Sequence, residues 1–83
     1  MKVKYFAWVR ERIGKAEETL DPPAEVRTVG ELIGWLSGRG EGYAYAFEKP
    51  QVIRAAIDQS HVKLEAPLAG AHEVALFPPV TGG

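Results

Sequence analysis

The sequence predicts a single small α+β domain, one β-sheet covered on one face by one principal helix. Three observations predict it. The chain has 83 residues, the size of one domain. Several short runs alternate apolar and polar residues with period two, whereas one run keeps a sustained 3.6-residue period. The runs follow one another as strand, strand, helix, strand, strand, strand, and one helix can cover one face of one sheet. A hydrophobic fraction of 46% and a charged fraction of 25% suit a packed domain rather than a disordered tail. A chain this short buries only about 60% of its unfolded surface, so its core must be economical.

The first strand is expected over residues 2–9. Val3, Tyr5, Ala7 and Val9 fall on one face, and Lys2, Lys4, Phe6 and Trp8 on the other. Arg10 to Gly14 reads as a charged turn with Gly14 at positive φ. Residues 15–20 read as a second strand closing a hairpin, with Glu17-Glu18 as a solvated face rather than an acid/base pair. Asp21-Pro22-Pro23 stops the ladder because proline has no N–H to donate. Thr28-Val29-Gly30-Glu31 has the spacing of a capping box. Val29, Leu32, Ile33 and Leu36 then form one helical stripe with Trp35 at its edge, and Gly38 and Gly40 stop the helix. Gly30 and Gly34 weaken that helix, so packing must hold it. Residues 41–49 fit a short second helix or an aromatic-anchored loop, closed by Pro50. Val52 to Ile57, His61 to Leu64 and Glu73 to Phe77 read as strands, with Asp58-Gln59-Ser60 as a turn. Inward sets are Ile53/Ala55/Ile57, Val62/Leu64 and Val74/Leu76.

Composition excludes several functions. Ten Lys and Arg against eleven Asp and Glu give a net charge of -1, without the basic excess that nucleic-acid binding needs. The absence of cysteine removes disulfides, thiolate metal sites and thiol catalysis. No apolar run approaches the roughly 18 residues of a membrane span, and no signal-peptide pattern opens the chain. A cytoplasmic protein without a membrane or nucleic-acid partner is expected. His61 and His72 have no companions at metal-ligand spacing. Ser37 and Ser60 lie in no nucleophile-elbow context. Gly38-Arg39-Gly40-Glu41-Gly42 lacks the lysine and spacing of a phosphate loop.

The informative segment is the end, Pro78-Pro79-Val80-Thr81-Gly82-Gly83. Two prolines after a strand stop it and hold the chain stiff and extended. Six residues reach about 20 Å when extended. Two terminal glycines are slim enough for a narrow channel, and they leave the α-carboxylate unshielded. The division is therefore a body over residues 1–77 and an extended reactive tail over residues 78–83. A free carboxylate reacts poorly until it is activated with ATP as an acyl-adenylate. Sulfide can then displace AMP and leave a thiocarboxylate, whose sulfur is softer and more nucleophilic than oxygen. Nothing in this chain performs the activation, so an ATP-dependent partner is implied.

These residues carry a resemblance. The ending Glu73-Val74-Ala75-Leu76-Phe77-Pro78-Pro79-Val80-Thr81-Gly82-Gly83 resembles the small, sulfur-carrying subunits of molybdopterin synthase, the MoaD family. The opening Lys4-Tyr5-Phe6-Ala7-Trp8-Val9-Arg10-Glu11 is similar to that family's phenylalanine-alanine-x-x-arginine-glutamate start. Ala55-Ala56-Ile57-Asp58-Gln59 resembles its alanine-valine-asparagine turn entry, with Ile57 and Asp58 as departures. The resemblance implies a ubiquitin-like β-grasp fold with the first and last strands parallel neighbours in a mixed sheet. It implies Gly83 as the reacting residue, Gly82 as the slim passage and Pro78, Pro79, Val80 and Thr81 as the arm. Phe6 and Trp8 would lie beside Ala75 and Phe77 as an apolar partner face.

The implied partners are the synthase large subunit, an adenylyltransferase resembling ubiquitin-activating enzymes, and a sulfur donor protein. The expected assembly is a heterotetramer with one copy of this chain at each end of a large-subunit dimer. No cofactor or metal would be bound by this chain; ATP would be used by the activating partner. The chain would be non-catalytic alone, donating sulfur to cyclic pyranopterin monophosphate within a sulfurtransferase complex. Three rivals stand beside this reading: a sulfur carrier for thiamine biosynthesis, a protein modifier conjugated through Gly83, and a binding module whose tail does nothing.

Overall fold

The computed structural model describes residues 1–79. The elements run β1 (Lys2–Tyr5), α1 (Ala7–Ile13), β2 (Glu17–Thr19), α2 (Val29–Ser37), α3 (Glu41–Ala46), a 3-10 turn (Pro50–Val52), β3 (Arg54–Ile57), β4 (Ser60–Val62) and β5 (Glu73–Phe77). The five strands form one sheet in the order β2-β1-β5-β3-β4. β1 and β5 are parallel, and the other pairs are antiparallel. The expected parallel neighbours are therefore present, and β5, last in the chain, lies at the centre of the sheet.

The first expected strand is corrected in its second half. β1 ends at Tyr5, and residues 7–13 are helical. Gly14 closes the helix at φ 86°, its N–H donating to the Arg10 carbonyl, which is the left-handed cap that glycine adopts without penalty. What reads as a charged turn is thus the second half of a helix, and β1 and β2 pair across it rather than through a tight hairpin. Val9 is fully buried, as expected, but from α1 and not from a strand. Ala7 begins the helix at φ 53°, a left-handed conformation that costs a residue with a Cβ about 1 kcal/mol.

The Thr28 capping box forms as read: Glu31 N–H donates to Thr28 Oγ1 at 3.1 Å, and the Glu31 carboxylate accepts from Thr28 N–H at 3.1 Å. Val29, Leu32, Ile33 and Leu36 are all fully buried. They meet Val3, Tyr5, Val74 and Leu76 from the sheet, and Val9, Tyr43, Ala46 and Phe47 complete the core from α1 and from α3 with its exit. Residues 41–46 resolve as helix. The third expected strand begins two residues later than read, after the 3-10 turn that Pro50 opens. The fourth is Ser60–Val62 and stops short of Leu64. Asp58 and Gln59 take φ 47° and 72°, the left-handed pair of a two-residue hairpin turn. The Asp58 carboxylate accepts from the His72 and Glu73 N–H groups at 3.1 and 2.9 Å, pinning the start of β5.

Helices α1 and α3 meet closely at Gly42. A Cβ built there would lie 2.7 Å from the Arg12 carbonyl oxygen, and a backbone atom cannot move aside as a side-chain tip can. Gly42→Ala is expected to destabilise the fold by about 1–3 kcal/mol, read as a lowered urea midpoint with an unchanged slope.

Candidate functional site: the open sheet face and the root of the arm

Alternation places Val3, Tyr5, Ala55, Val74 and Leu76 toward the helices. The opposite face carries Lys2, Lys4, Arg54, Ala56, His61, Glu73, Ala75 and Phe77. No helix among the described residues packs on it. Its β1 end is charged: Lys4 Nζ lies 3.2 Å from Glu73, and Lys2 Nζ 3.3 Å from Glu17. Toward the C-terminal end of β5 it becomes apolar. Ala75 opposes Ala56 in register, and both are buried. Phe77 stands beside them, with the His61 ring edge-on at a centroid distance of 5.4 Å.

Phe6 is extended at φ -129°, ψ 156°, and its N–H donates to the Leu76 carbonyl at 3.1 Å. It therefore continues the β1 alternation onto this open face, at the register position of Phe77. The residue is 45% exposed. Register thus places Phe6, Ala75 and Phe77 on one sheet face, with Ala75 buried between the neighbouring side chains.

Trp8 is the correction. The turn at Ala7 carries it off the strand and onto α1, so it does not share the Phe6 face. It lines a groove of about 520 Å³ with Arg12, Val52, Pro78 and Pro79, at the root of the arm. The two prolines are half-buried. Val80, Thr81, Gly82 and Gly83 lie outside the described residues. Ala56, His61 and Arg12 are not among the residues expected at the partner face. The first two follow from strand parity once Ala55 is inward. Arg12 becomes visible only when Trp8 and Arg12 are recognised as helical neighbours at i, i+4.

A second polar cluster lies between β1, β2 and α3. Glu18 accepts from the Tyr5 hydroxyl at 2.7 Å and from the Tyr43 hydroxyl at 2.6 Å. Lys15 Nζ lies 3.2 Å away and Arg39 3.9 Å. Burial pushes the Glu18 carboxyl up, but hydrogen bonds from Tyr43, Tyr5 and Lys15 outweigh it, and the group is held below its ordinary value. Burial first, and then the Glu18 hydrogen bond, raises Tyr5 far above the usual phenol range. The expected solvated Glu17-Glu18 face is therefore half wrong: Glu17 is exposed, whereas Glu18 ties the body together.

The described residues hold no cluster of metal-ligating side chains. The structure offers a partly apolar sheet face and, directly after the central strand, the half-buried Pro78 and Pro79. Residues 3–83 match the ThiS family. The chain belongs to the ThiS family. Among related proteins, the molybdopterin synthase sulfur carrier subunit of Escherichia coli is 37% identical over 83 residues, covering 100% of this chain and 99% of the relative. The Haemophilus influenzae protein of the same name is 38% identical over 84 residues, with the same coverage. Small archaeal modifier protein 1 of Haloferax volcanii superposes with a TM-score of 0.70 at 27% identity, covering 96% of this chain and 97% of its own. These likenesses agree with the mixed sheet and helices of a ubiquitin-like β-grasp, the fold of this ThiS-family chain.

Proposed function

We propose that this chain is the sulfur-carrier subunit of a molybdopterin synthase. The observation that carries the reading is full-length similarity to the Escherichia coli sulfur carrier subunit, joined to the sequence Pro78-Pro79-Val80-Thr81-Gly82-Gly83 that follows the central strand β5. In this reading the Gly83 carboxylate attacks the α-phosphorus of ATP on an activating partner, and pyrophosphate leaves. Sulfide from a sulfur donor then attacks the acyl carbon, AMP leaves, and a thiocarboxylate remains. The large subunit receives the arm, the thiocarboxylate sulfur bonds to a carbon of cyclic pyranopterin monophosphate in place of an oxygen, and water then cleaves the acyl–sulfur bond and restores the Gly83 carboxylate. Two such transfers supply the dithiolene. The chain works in the cytoplasm and docks through Phe6, Phe77 and the Ala75 floor between them.

Intact mass spectrometry after incubation with ATP, sulfide and a cell extract tests the chemistry. The expected product carries one sulfur in place of one oxygen at Gly83. An unchanged mass under conditions that activate a known carrier would overturn the reading. Phe77→Ala tests the docking face. A buried aromatic anchor contributes about 2 kcal/mol or more, so large-subunit affinity is expected to fall roughly thirtyfold with the thermal midpoint nearly unchanged. Equal affinity of variant and parent would remove Phe77 from the interface.

The superposition on an archaeal modifier protein favours a second reading, conjugation to lysines through Gly83. Conjugates that survive denaturing gels would support it over sulfur transfer. A thiamine-pathway carrier would instead be captured by a thiazole synthase.

A further inference from the structure

One wall of the groove at the arm root is built from groups that neither the terminal chemistry nor the open sheet face uses. The Arg12 guanidinium lies 4.3 Å from the Trp8 ring centroid and 3.9 Å from that of Tyr45. Its Nη1 donates to the Tyr45 carbonyl at 3.2 Å and lies 3.8 Å from Glu48. A planar cation between two rings is a favourable stack. It also explains why Tyr45 can be 53% exposed: its ring works against Arg12 rather than in the core. Trp8 is thereby braced from behind by α1 and α3. The same indole lines the groove that Pro78 and Pro79 line, and the left-handed turn at Ala7 is what brings it there.

We propose that Trp8, braced by Arg12 and Tyr45, is a positioning residue that sets the direction in which Pro78-Pro79 lead the chain terminus away from the sheet. Each proline fixes its own φ near −65°, so the pair is a stiff first segment whose direction propagates outward. The four residues beyond Pro79 span at most about 14 Å. A small angular error at the root becomes a displacement of the reacting carboxylate, and misplacement by about 1 Å can cost roughly 100-fold in rate. The proposal rests on Gly83 being the reacting residue.

The test uses the full chain in two measurements. In a Trp35→Phe background Trp8 is the remaining indole, since the chain has two tryptophans. Proton NMR is expected to show cross-relaxation from the Trp8 ring to Pro78 or Pro79, and ring-current shifts on those prolines that Trp8→Ala abolishes. Single-turnover sulfur transfer from the thiocarboxylated chain bound to the large subunit is the second measurement. Trp8→Ala and Arg12→Lys are expected to slow it by about tenfold or more, with the Kd for the large subunit changed by less than about threefold. Trp8→Phe is expected to recover most of the rate.

Proline signals indifferent to Trp8→Ala would overturn the proposal. So would an unchanged transfer rate, or a loss seen wholly in Kd. If Trp8→Ala fails to fold, Arg12→Lys, which keeps the charge and loses the stack, decides by the same readouts. A parent chain that transfers no sulfur would sink the functional reading, while the proline signals would still judge the placement of the arm.

Discussion

Deletion of Gly83 is expected to abolish sulfur transfer completely while leaving the thermal midpoint within experimental error of the parent. The deletion shortens the arm by about 3.5 Å, far more than a reacting group tolerates. It also moves the carboxylate onto Gly82, so an acid is still present but in the wrong place. Among the described residues the core ends at Leu76 and the last ladder at Phe77. The measurement is dithiolene formation in a reconstituted system alongside a melting curve. Retained activity in the truncated chain would return the tail to a passive role and revive the pure binding module.

Glu18→Ala is expected to have the largest effect on stability of any single exchange outside the apolar core. It removes the acceptor shared by the Tyr5 and Tyr43 hydroxyls, which belong to buried side chains. Two charge-assisted hydrogen bonds at roughly 1.5 kcal/mol each give a loss of about 3 kcal/mol. For a domain of this size that lowers the midpoint by on the order of 10–20 °C. Glu18→Gln keeps one acceptor oxygen and should lose less. The same cluster sets a pH window. The Glu18 carboxyl is depressed on folding, so its contribution is present above its ordinary value of 4.5 and is lost as pH falls below it through the folded value. Tyr5 is raised on folding, so its contribution is present below its ordinary value of 10.0 and declines as pH rises above it. Urea titrations across pH should show the acid limb flatten in Glu18→Gln. An unchanged acid limb would assign that limb to other carboxylates.

Much of this fold was legible because local chemistry and tertiary packing agree. The Thr28 and Glu31 capping box, the Val29–Leu36 stripe and the Val74/Leu76 alternation each appear as read. The failure lies at residues 6–13. There Val3, Tyr5, Ala7 and Val9 keep period two past the point where the chain turns. The decisive feature is the positive φ of Ala7, and nothing in an alanine advertises it. Once the turn is missed, Trp8 goes to the wrong face and Arg12 becomes an anonymous loop charge. Glu18 was hidden for a different reason. Its partners Tyr5 and Tyr43 lie 13 and 25 residues away in sequence, and a local pattern cannot reveal a long-range hydrogen bond. The open face was legible from parity alone, since Ala75 and Phe77 needed only the direction of Val74 and Leu76.

The placement of β5 between β1 and β3 has a mechanical consequence. A partner that grips the terminus and pulls does so along the axis of the strand with a ladder on each side. Tension then loads both rows of backbone hydrogen bonds in shear, all together, instead of unzipping them one at a time. The body can therefore resist being threaded or dragged open.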